Sequence, residues 1–168
     1  MTYATISELL TRFDAAEIAQ RADRGVPRLV SADLLTAVGS NGDLSAWTAD
    51  EVARAGVALI VIERALKDAD DTINSYVSSR YDLPLAPVPP VLQRVACDLA
   101  RYFVYDDQVT EVIKQRYDAC IKMLADVAAG RVSLGADDAT GSQPTTSSAP
   151  ELTTSPRVWE RGSAKGFI

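Results

Sequence analysis

Apolar residues at helical spacing dominate the middle of the chain. They recur every three or four positions, at Val52, Leu59, Ile62, Leu66, Ala69, Ile73 and Val77. This spacing places them on one face of an α-helix. Thr48 begins the motif TADE, a capping box that is typical of a helix start. The pattern therefore predicts a central helix that runs from Thr48 to about Ser79.

Two further apolar stripes follow the segment 82–90, where four prolines in nine residues forbid a helix but allow one to begin. The first stripe contains Val91, Leu92, Val95, Ala96, Leu99 and Phe103. The second contains Val109, Val112, Ile113, Tyr117, Cys120, Ile121, Leu124 and Val127. Gly130 follows as a left-handed cap. We expect the helices around Leu66, Leu99 and Leu124 to share one core.

The first 47 residues predict two short helices and a long loop. Thr5 can cap the first helix, and Asp14 followed by Glu17 is typical of a capping box for the second. From residue 24 to residue 47, glycine, proline and asparagine favour turns, with one helical turn around residues 32–37. The prediction for residues 1–134 is therefore an all-α domain, a small antiparallel helical bundle.

The composition changes after Leu134. Residues 135–156 are mainly Ser, Thr, Ala, Pro, Gly and Asp, which favours a spacer without a core of its own. Residues 157–168 bring back apolar and basic side chains, which favours a docking segment. Its predicted partner-binding residues are Arg157, Val158, Trp159, Arg161 and Phe167. We expect this extended C-terminal arm to bind a partner, for example by adding a β-strand to it.

Composition narrows the range of functions. A net charge of −6 and a pI near 4.6 disfavour direct binding of nucleic acid. The chain has no histidine, which excludes Ser-His and Cys-His catalysis. Cys97 and Cys120 lack the spacing of a metal or redox motif, so we expect small core residues and no cofactor. The start lacks a signal peptide, and the longest apolar stretch, residues 56–62, is too short for a membrane span.

One enzymatic alternative comes from the acidic cluster of Asp68, Asp70 and Asp71 near Glu63. Carboxylates one helical turn apart can share Mg²⁺, as in helical pyrophosphatases, which need a second acidic set such as Asp98, Glu111 and Asp118. However, Arg64 and Lys67 lie beside the cluster and neutralise it. A solvated helix face without a metal or a catalytic residue is the favoured interpretation, with the pyrophosphatase as an alternative of another class.

Five blocks of sequence resemble one known family. They read YATISELLTRF, ALKDADDTINSYVSSRYDLPL, VPPVLQRVACDLARYFVY, RYDACIKMLADVAAGRVSLG and RVWERGSAKGF, in this order along the chain. Together they are similar to the Mu-like phage family placed among head-tail connector, or neck adaptor, proteins. The resemblance covers nearly the whole chain, apart from the Ser/Thr-rich spacer and the loop 24–47.

The resemblance implies a non-enzymatic building block of the virion neck that is made in the host cytoplasm. Such a subunit forms a homo-oligomeric ring, commonly twelve-fold, that contacts the portal protein above and the stopper or tail-completion protein below. DNA passes through the lumen without specific binding, and no membrane is involved. A stopper or another neck protein is the alternative within the same class. For the side-to-side contacts of the ring, we predict Arg64 and Asp68 on the central helix, and Arg94 and Arg101 on the third.

Overall fold

A computed structural model describes residues 2–135 of the protein. Within this range the secondary structure consists of six α-helices and one 3-10 turn, without a strand. The helices are α1 (Ile6–Arg12), α2 (Ala15–Ala22), α3 (Ala32–Gly39), α4 (Ala49–Val77), α5 (Pro90–Tyr105) and α6 (Glu111–Ala128). The predicted all-α bundle is confirmed. The spacer from residue 136 onward and the docking segment 157–168 lie outside the described residues.

The longest helix, α4, begins where the capping box predicts. The backbone N–H of Glu51 donates to the Thr48 hydroxyl, and the Thr48 N–H donates to the Glu51 carboxylate at 2.8 Å. These bonds satisfy backbone donors that a helix start leaves unpaired. The helix ends at Val77, two residues before the predicted end at Ser79. Ile62, on the inner face of α4, is completely buried. The apolar stripe of α4 therefore provides the surface on which the other helices pack.

Helices α5 and α6 pack on this inner face and on each other. Leu99 and Leu124 are completely buried and Leu66 is 6% exposed, which confirms the predicted shared core. Proline occupies the first turn of α5, where its missing N–H costs no helical hydrogen bond. Gly130, after α6, has a φ of +74°, as the sequence predicts for a left-handed cap.

The predicted capping residues are found at the starts of both N-terminal helices, but a capping box forms only at α1. Thr5 caps α1 and forms a capping box with Glu8. Asp14 caps α2 through the N–H of Ala16, but the predicted capping box with Glu17 is wrong. The Glu17 carboxylate instead binds side chains of α5. Tertiary contacts therefore override the local capping pattern at this residue.

The predicted long loop contains more structure than one helical turn. Ser31 caps α3, an eight-residue helix, by accepting a hydrogen bond from the N–H of Leu34 at 3.2 Å. Leu34 and Leu35 are completely buried against the rest of the core. Two adjacent leucines carry too little periodic signal to predict a helix, so the burial of this segment is decided by its packing on α2 and α4.

Candidate functional site

The residues predicted for a ring interface occupy different environments. Arg64 and Asp68 are exposed on the outward side of α4, and Arg94 is exposed on α5. The Arg101 side chain is only 15% exposed, although it lies two helical turns from Arg94 on the same side of α5. Three of the four predicted residues are therefore accessible to a partner, and the fourth is engaged within the chain.

Arg101 fastens α2 to α5. Its guanidinium donates to Glu17 through Nε at 2.7 Å and lies 2.6 Å from the same carboxylate through Nη2. The Tyr105 hydroxyl donates to this carboxylate at 2.6 Å, and the guanidinium also stacks over the ring of Phe13. Burial, and then the bond to Glu17, raise the pKa of Tyr105. A charged, partly buried cluster of this kind holds helices in register.

A groove of about 770 Å³ opens beside this cluster, between the α1–α2 turn, α5 and α6. We call it the arginine groove. Its lining consists of Arg12, Phe13, Asp14, Arg94, Asp98, Arg101, Arg116, Ala119, Cys120 and Met123. Four arginines against two aspartates give it a positive formal charge, in a chain whose net charge is −6. Arg12, Arg94 and Arg116 are exposed, and the guanidinium of Arg116 lies 4.0 Å from the Asp98 carboxylate. The groove can therefore attract an acidic surface.

The two cysteines are buried within the fold as free thiols, as the sequence predicts for core residues. Burial raises the pKa of both Cys97 and Cys120 to about 11. A thiol with such a raised pKa carries almost no thiolate at neutral pH and reacts poorly. Cys120 lines the arginine groove but is only 7% exposed, so it forms part of the wall.

The outward side of α4 carries an apolar patch that the sequence analysis did not single out. We define it as Ala53, Gly56, Val57 and Ile60. Val57 and Ile60 are each 58% exposed, and Ala53 is exposed one turn earlier. A Cβ added at Gly56 would meet no atom of the described residues within 4 Å. The available signal was the helical wheel, on which these residues fall opposite the buried Ile62.

Two of the three aspartates of the acidic cluster on α4, Asp70 and Asp71, form contacts within the chain. Asp70 is buried and accepts the Tyr3 N–H at 3.0 Å, while the Tyr3 hydroxyl donates to Asn74 at 2.7 Å. Lys67 forms a salt bridge of 2.8 Å with Asp71. Within residues 2–135, no group of three or more potential ligands could hold a metal ion. The carboxylates therefore tie the N-terminal segment to α4 and pair on its surface.

A second buried carboxylate, Asp23, organises the loop after α2. It accepts backbone N–H groups from Gly25 at 2.9 Å, Leu29 at 2.7 Å and Val30 at 3.1 Å, and its carboxylate lies 3.9 Å from the Arg54 guanidinium. Burial by itself raises the pKa of this group, but the three hydrogen bonds and Arg54 together hold it below its usual value. The loop is thereby joined to α4.

Two further observations concern the predicted docking segment and the possibility of a membrane-spanning helix. The predicted partner-binding residues Arg157, Val158, Trp159, Arg161 and Phe167 lie outside the described residues. None of the helices between residues 2 and 135 is both long enough and apolar enough to cross a lipid bilayer.

The described part of the chain is thus a compact helical domain whose outstanding surfaces are an arginine groove and an apolar patch. A sequence model of the family described as Bacteriophage Mu, Gp36 matches residues 3–152. The chain therefore belongs to this Mu-like phage protein family.

Two relatives support the assignment. The chain is 40% identical, over 107 residues, to the Mu-like prophage FluMu protein gp36 of Haemophilus influenzae, which covers 64% of this chain and 75% of the relative. It is 33% identical, over 108 residues, to Gene product J of Escherichia phage Mu, which covers 64% of this chain and 76% of that protein.

Proposed function

We propose that this protein is a head-tail connector of a tailed phage, an adaptor without enzymatic activity that forms a ring under the portal. The observation that supports the proposal is the family match over residues 3–152, since the sequence blocks of this chain resemble a Mu-like phage family placed among neck adaptors. The structure adds a helical domain with two surfaces suited to contact between proteins. In the virion neck, the ring joins the DNA-filled head to the stopper and the tail.

The exposed charges support a ring built from side-to-side contacts. A closed ring requires two different surfaces on each subunit, since each copy binds one neighbour on each side. Arg64 and Asp68 on α4 supply charges on one side, and Arg94 on α5 supplies charge on another. Arg101 contributes to the ring indirectly, because it holds α2 against α5 and thus shapes the groove.

The acidic balance of the chain suits a ring through which DNA passes. A lumen with net negative charge repels phosphates, so that the duplex slides without adhering. We assign the joint with the portal to the docking segment 157–168, which unites Trp159 and Phe167 with basic side chains. Aromatic and arginine residues contribute strongly to protein interfaces.

Complementation of a phage that lacks this gene tests the function. Without the protein, we expect lysates to contain filled heads and free tails, and addition of purified full-length protein to restore infectious particles. Joined particles in its complete absence would contradict the connector role. A matched variant without residues 157–168 is expected to fold, as shown by circular dichroism, but to leave heads and tails separate.

A portal-binding measurement separates the adaptor from the stopper. An adaptor binds purified portal rings directly, whereas a stopper binds only after another neck protein is present. Electron microscopy of portal mixed with this protein alone is therefore expected to show an added ring beneath the portal. A ring that appears only when a further neck protein is supplied would identify the protein as a stopper.

A further inference from the structure

We propose that the apolar patch of one subunit docks in the arginine groove of the next subunit. This inference rests on the proposed ring and names the two surfaces that meet in it. The occupant of the groove is thus the outward side of α4 from a second copy of this chain. The contact is heterologous, because the patch and the groove are different surfaces of one domain.

The two surfaces are formed by different elements of the fold, the patch by α4 and the groove by the α1–α2 turn, α5 and α6. Helices α4 and α5 pack against each other through their buried faces, which include Ile62 and Leu99. The patch lies on the side of α4 that is turned away from this contact, as Val57 and Ile60 show by their exposure. The groove opens along the polar row of α5 formed by Arg94, Asp98 and Arg101, of which Arg94 is exposed. Each copy can therefore bind one neighbour through each side and extend the assembly.

Among residues 2–135, no contact explains the glycine in the patch. Glycine disfavours a helix more than any residue except proline, yet Gly56 lies inside α4 with open space beside it. A missing side chain between the exposed Val57 and Ile60 allows another chain to approach the helix backbone closely. Two large exposed aliphatic side chains around such a position are typical of an interface.

The charges at the two surfaces complement each other. Asp50 and Glu63 are exposed on α4 one turn before and one turn after the patch. The exposed arginines of the groove, Arg12, Arg94 and Arg116, surround an opening whose walls include Met123 and Ala119. Both rims carry charges of both signs, so Asp50 and Glu63 can pair with the groove arginines around an apolar centre, which is a usual composition of a protein interface.

A duplex DNA backbone is the competing occupant of the groove, since phosphates also bind arginine. Two features favour a second copy. Asp14 and Asp98 line the groove and repel phosphate, but they can accept hydrogen bonds from a basic residue such as Arg64 beside the patch. The groove also has apolar walls, which a phosphate backbone cannot use and which Val57 and Ile60 can cover.

Cysteine cross-linking of the full-length protein tests the contact. The variant Ile60→Cys/Ala119→Cys places one thiol in the patch and one in the lining of the groove, at residues that are both exposed. Under mild oxidation, at high protein concentration and on purified phage particles, we expect dimers, trimers and larger species on a non-reducing gel. The native thiols of Cys97 and Cys120 are buried, so the unsubstituted protein serves as the background.

Matched controls distinguish this contact from other arrangements. Ser75→Cys/Ala119→Cys moves the first thiol along the same side of α4, away from the patch, and is expected to give no ladder. Ile60→Cys alone is also expected to remain monomeric. Dimers from Ile60→Cys alone would show that two patches pack together, and would overturn the proposal. Absence of a ladder from the first variant in both preparations would overturn it as well.

Mixing two half-interface variants provides an independent measurement. Val57→Asp disables the patch and Arg94→Glu disables the groove, while each leaves the other surface intact. Neither variant is expected to cross-link with itself when it carries the cysteine pair, but a mixture is expected to give one species, the 1:1 dimer. If Arg94→Glu instead abolishes binding to a short DNA duplex and leaves the ladder unchanged, DNA is the occupant and the proposal fails.

The outcome for the connector function is read separately. Infectivity of the complemented phage reports on the connector role, and the ladder reports on the docked surfaces. Joined, infectious particles without a ladder leave the connector role standing and exclude this contact. A ladder from a protein that the phage does not need for joining heads to tails leaves the contact standing and excludes the role.

Discussion

Helix α2 and the outward side of α4 use their charged residues in opposite ways. Glu17 and Asp23 of the α2 region turn inward, where they bind Arg101 of α5 and Arg54 of α4. Arg64 and Asp68 of α4 turn outward into solvent. The two regions differ in how much apolar surface they bury. The comparison shows that position relative to the core, and not residue type, decides whether a charge serves the fold or a partner.

The difference has a physical cause in helix length. Helix α2 has eight residues and buries only Ile18, Ala19 and Ala22, so its apolar contacts are small. Polar bonds to neighbouring helices supplement them. Helix α4 has 29 residues and an inner face buried along its length, so its outward charges are not needed for its position. Those charges are available for assembly.

The largest effect is expected for Asp23→Ala. The substitution removes the acceptor of three backbone N–H groups and leaves the Val30 N–H in a buried position. We expect the free energy of unfolding to fall by about 2–4 kcal/mol. Asp33→Ala, at an exposed residue in the first turn of α3, is the matched control and is expected to change stability by less than about 0.5 kcal/mol. Chemical denaturation of both variants measures the difference, and equal losses would contradict the inward role of Asp23.

A smaller loss of stability is expected for a substitution at Arg101 of α5, and almost none for the same substitution at Arg94. Arg101→Glu places a second carboxylate beside Glu17, and we expect a loss of about 1–3 kcal/mol in the free energy of unfolding. Arg94→Glu is expected to change it by less than about 0.5 kcal/mol, because Arg94 is exposed. Thermal unfolding followed by circular dichroism compares the two. Similar melting temperatures would show that the bond to Glu17 adds little to the fold.

Glu17→Gln is expected to have a still smaller effect. Glutamine keeps an acceptor for the Tyr105 hydroxyl but removes the charge that Arg101 binds. Hydrogen bonds to charged groups are stronger than neutral ones, so we expect a loss of about 0.5–1.5 kcal/mol. The pKa of Tyr105 is also expected to fall, because the negative charge of Glu17 raises it in the unsubstituted protein. Ultraviolet titration of the tyrosines measures this change, and an unaltered titration would contradict the assigned contact.

The smallest expected effect is on the pH dependence of the free energy of unfolding. Because Asp23 has a lowered pKa, its stabilising contribution is present above its ordinary value and is lost as the pH falls through the lowered value. Asp70 has a raised pKa, through burial first, so its charged form costs stability that is regained as the pH falls through the raised value. Asp70→Asn should therefore remove the small rise in stability that occurs as the pH falls through the raised pKa of Asp70, while Asp23→Asn should flatten the loss of stability at lower pH. Urea titrations over this range compare both variants with the unsubstituted protein, and parallel curves would contradict the two assignments.

Residue spacing was a good guide to the helices and a poor guide to the surfaces. The stripes of α4, α5 and α6 identify the core because burial of one helix face leaves a periodic signal in the sequence. The segment around Leu34 predicted only one helical turn, since α3 is too short to repeat its pattern. The apolar patch was missed because Val57 and Ile60 lie within a helix whose main stripe is on the opposite side.

The sequence by itself determined the helical class, the capped starts at Thr5 and Thr48, the shared core and the acidic balance. These properties follow from interactions among near neighbours or from composition, both of which are visible along one chain. Only the tertiary structure decided that Glu17 binds Arg101, 84 residues away, and that Arg94 is exposed at the groove. Such pairings depend on which helix faces pack together, because a charge is satisfied by the partner that folding brings within reach.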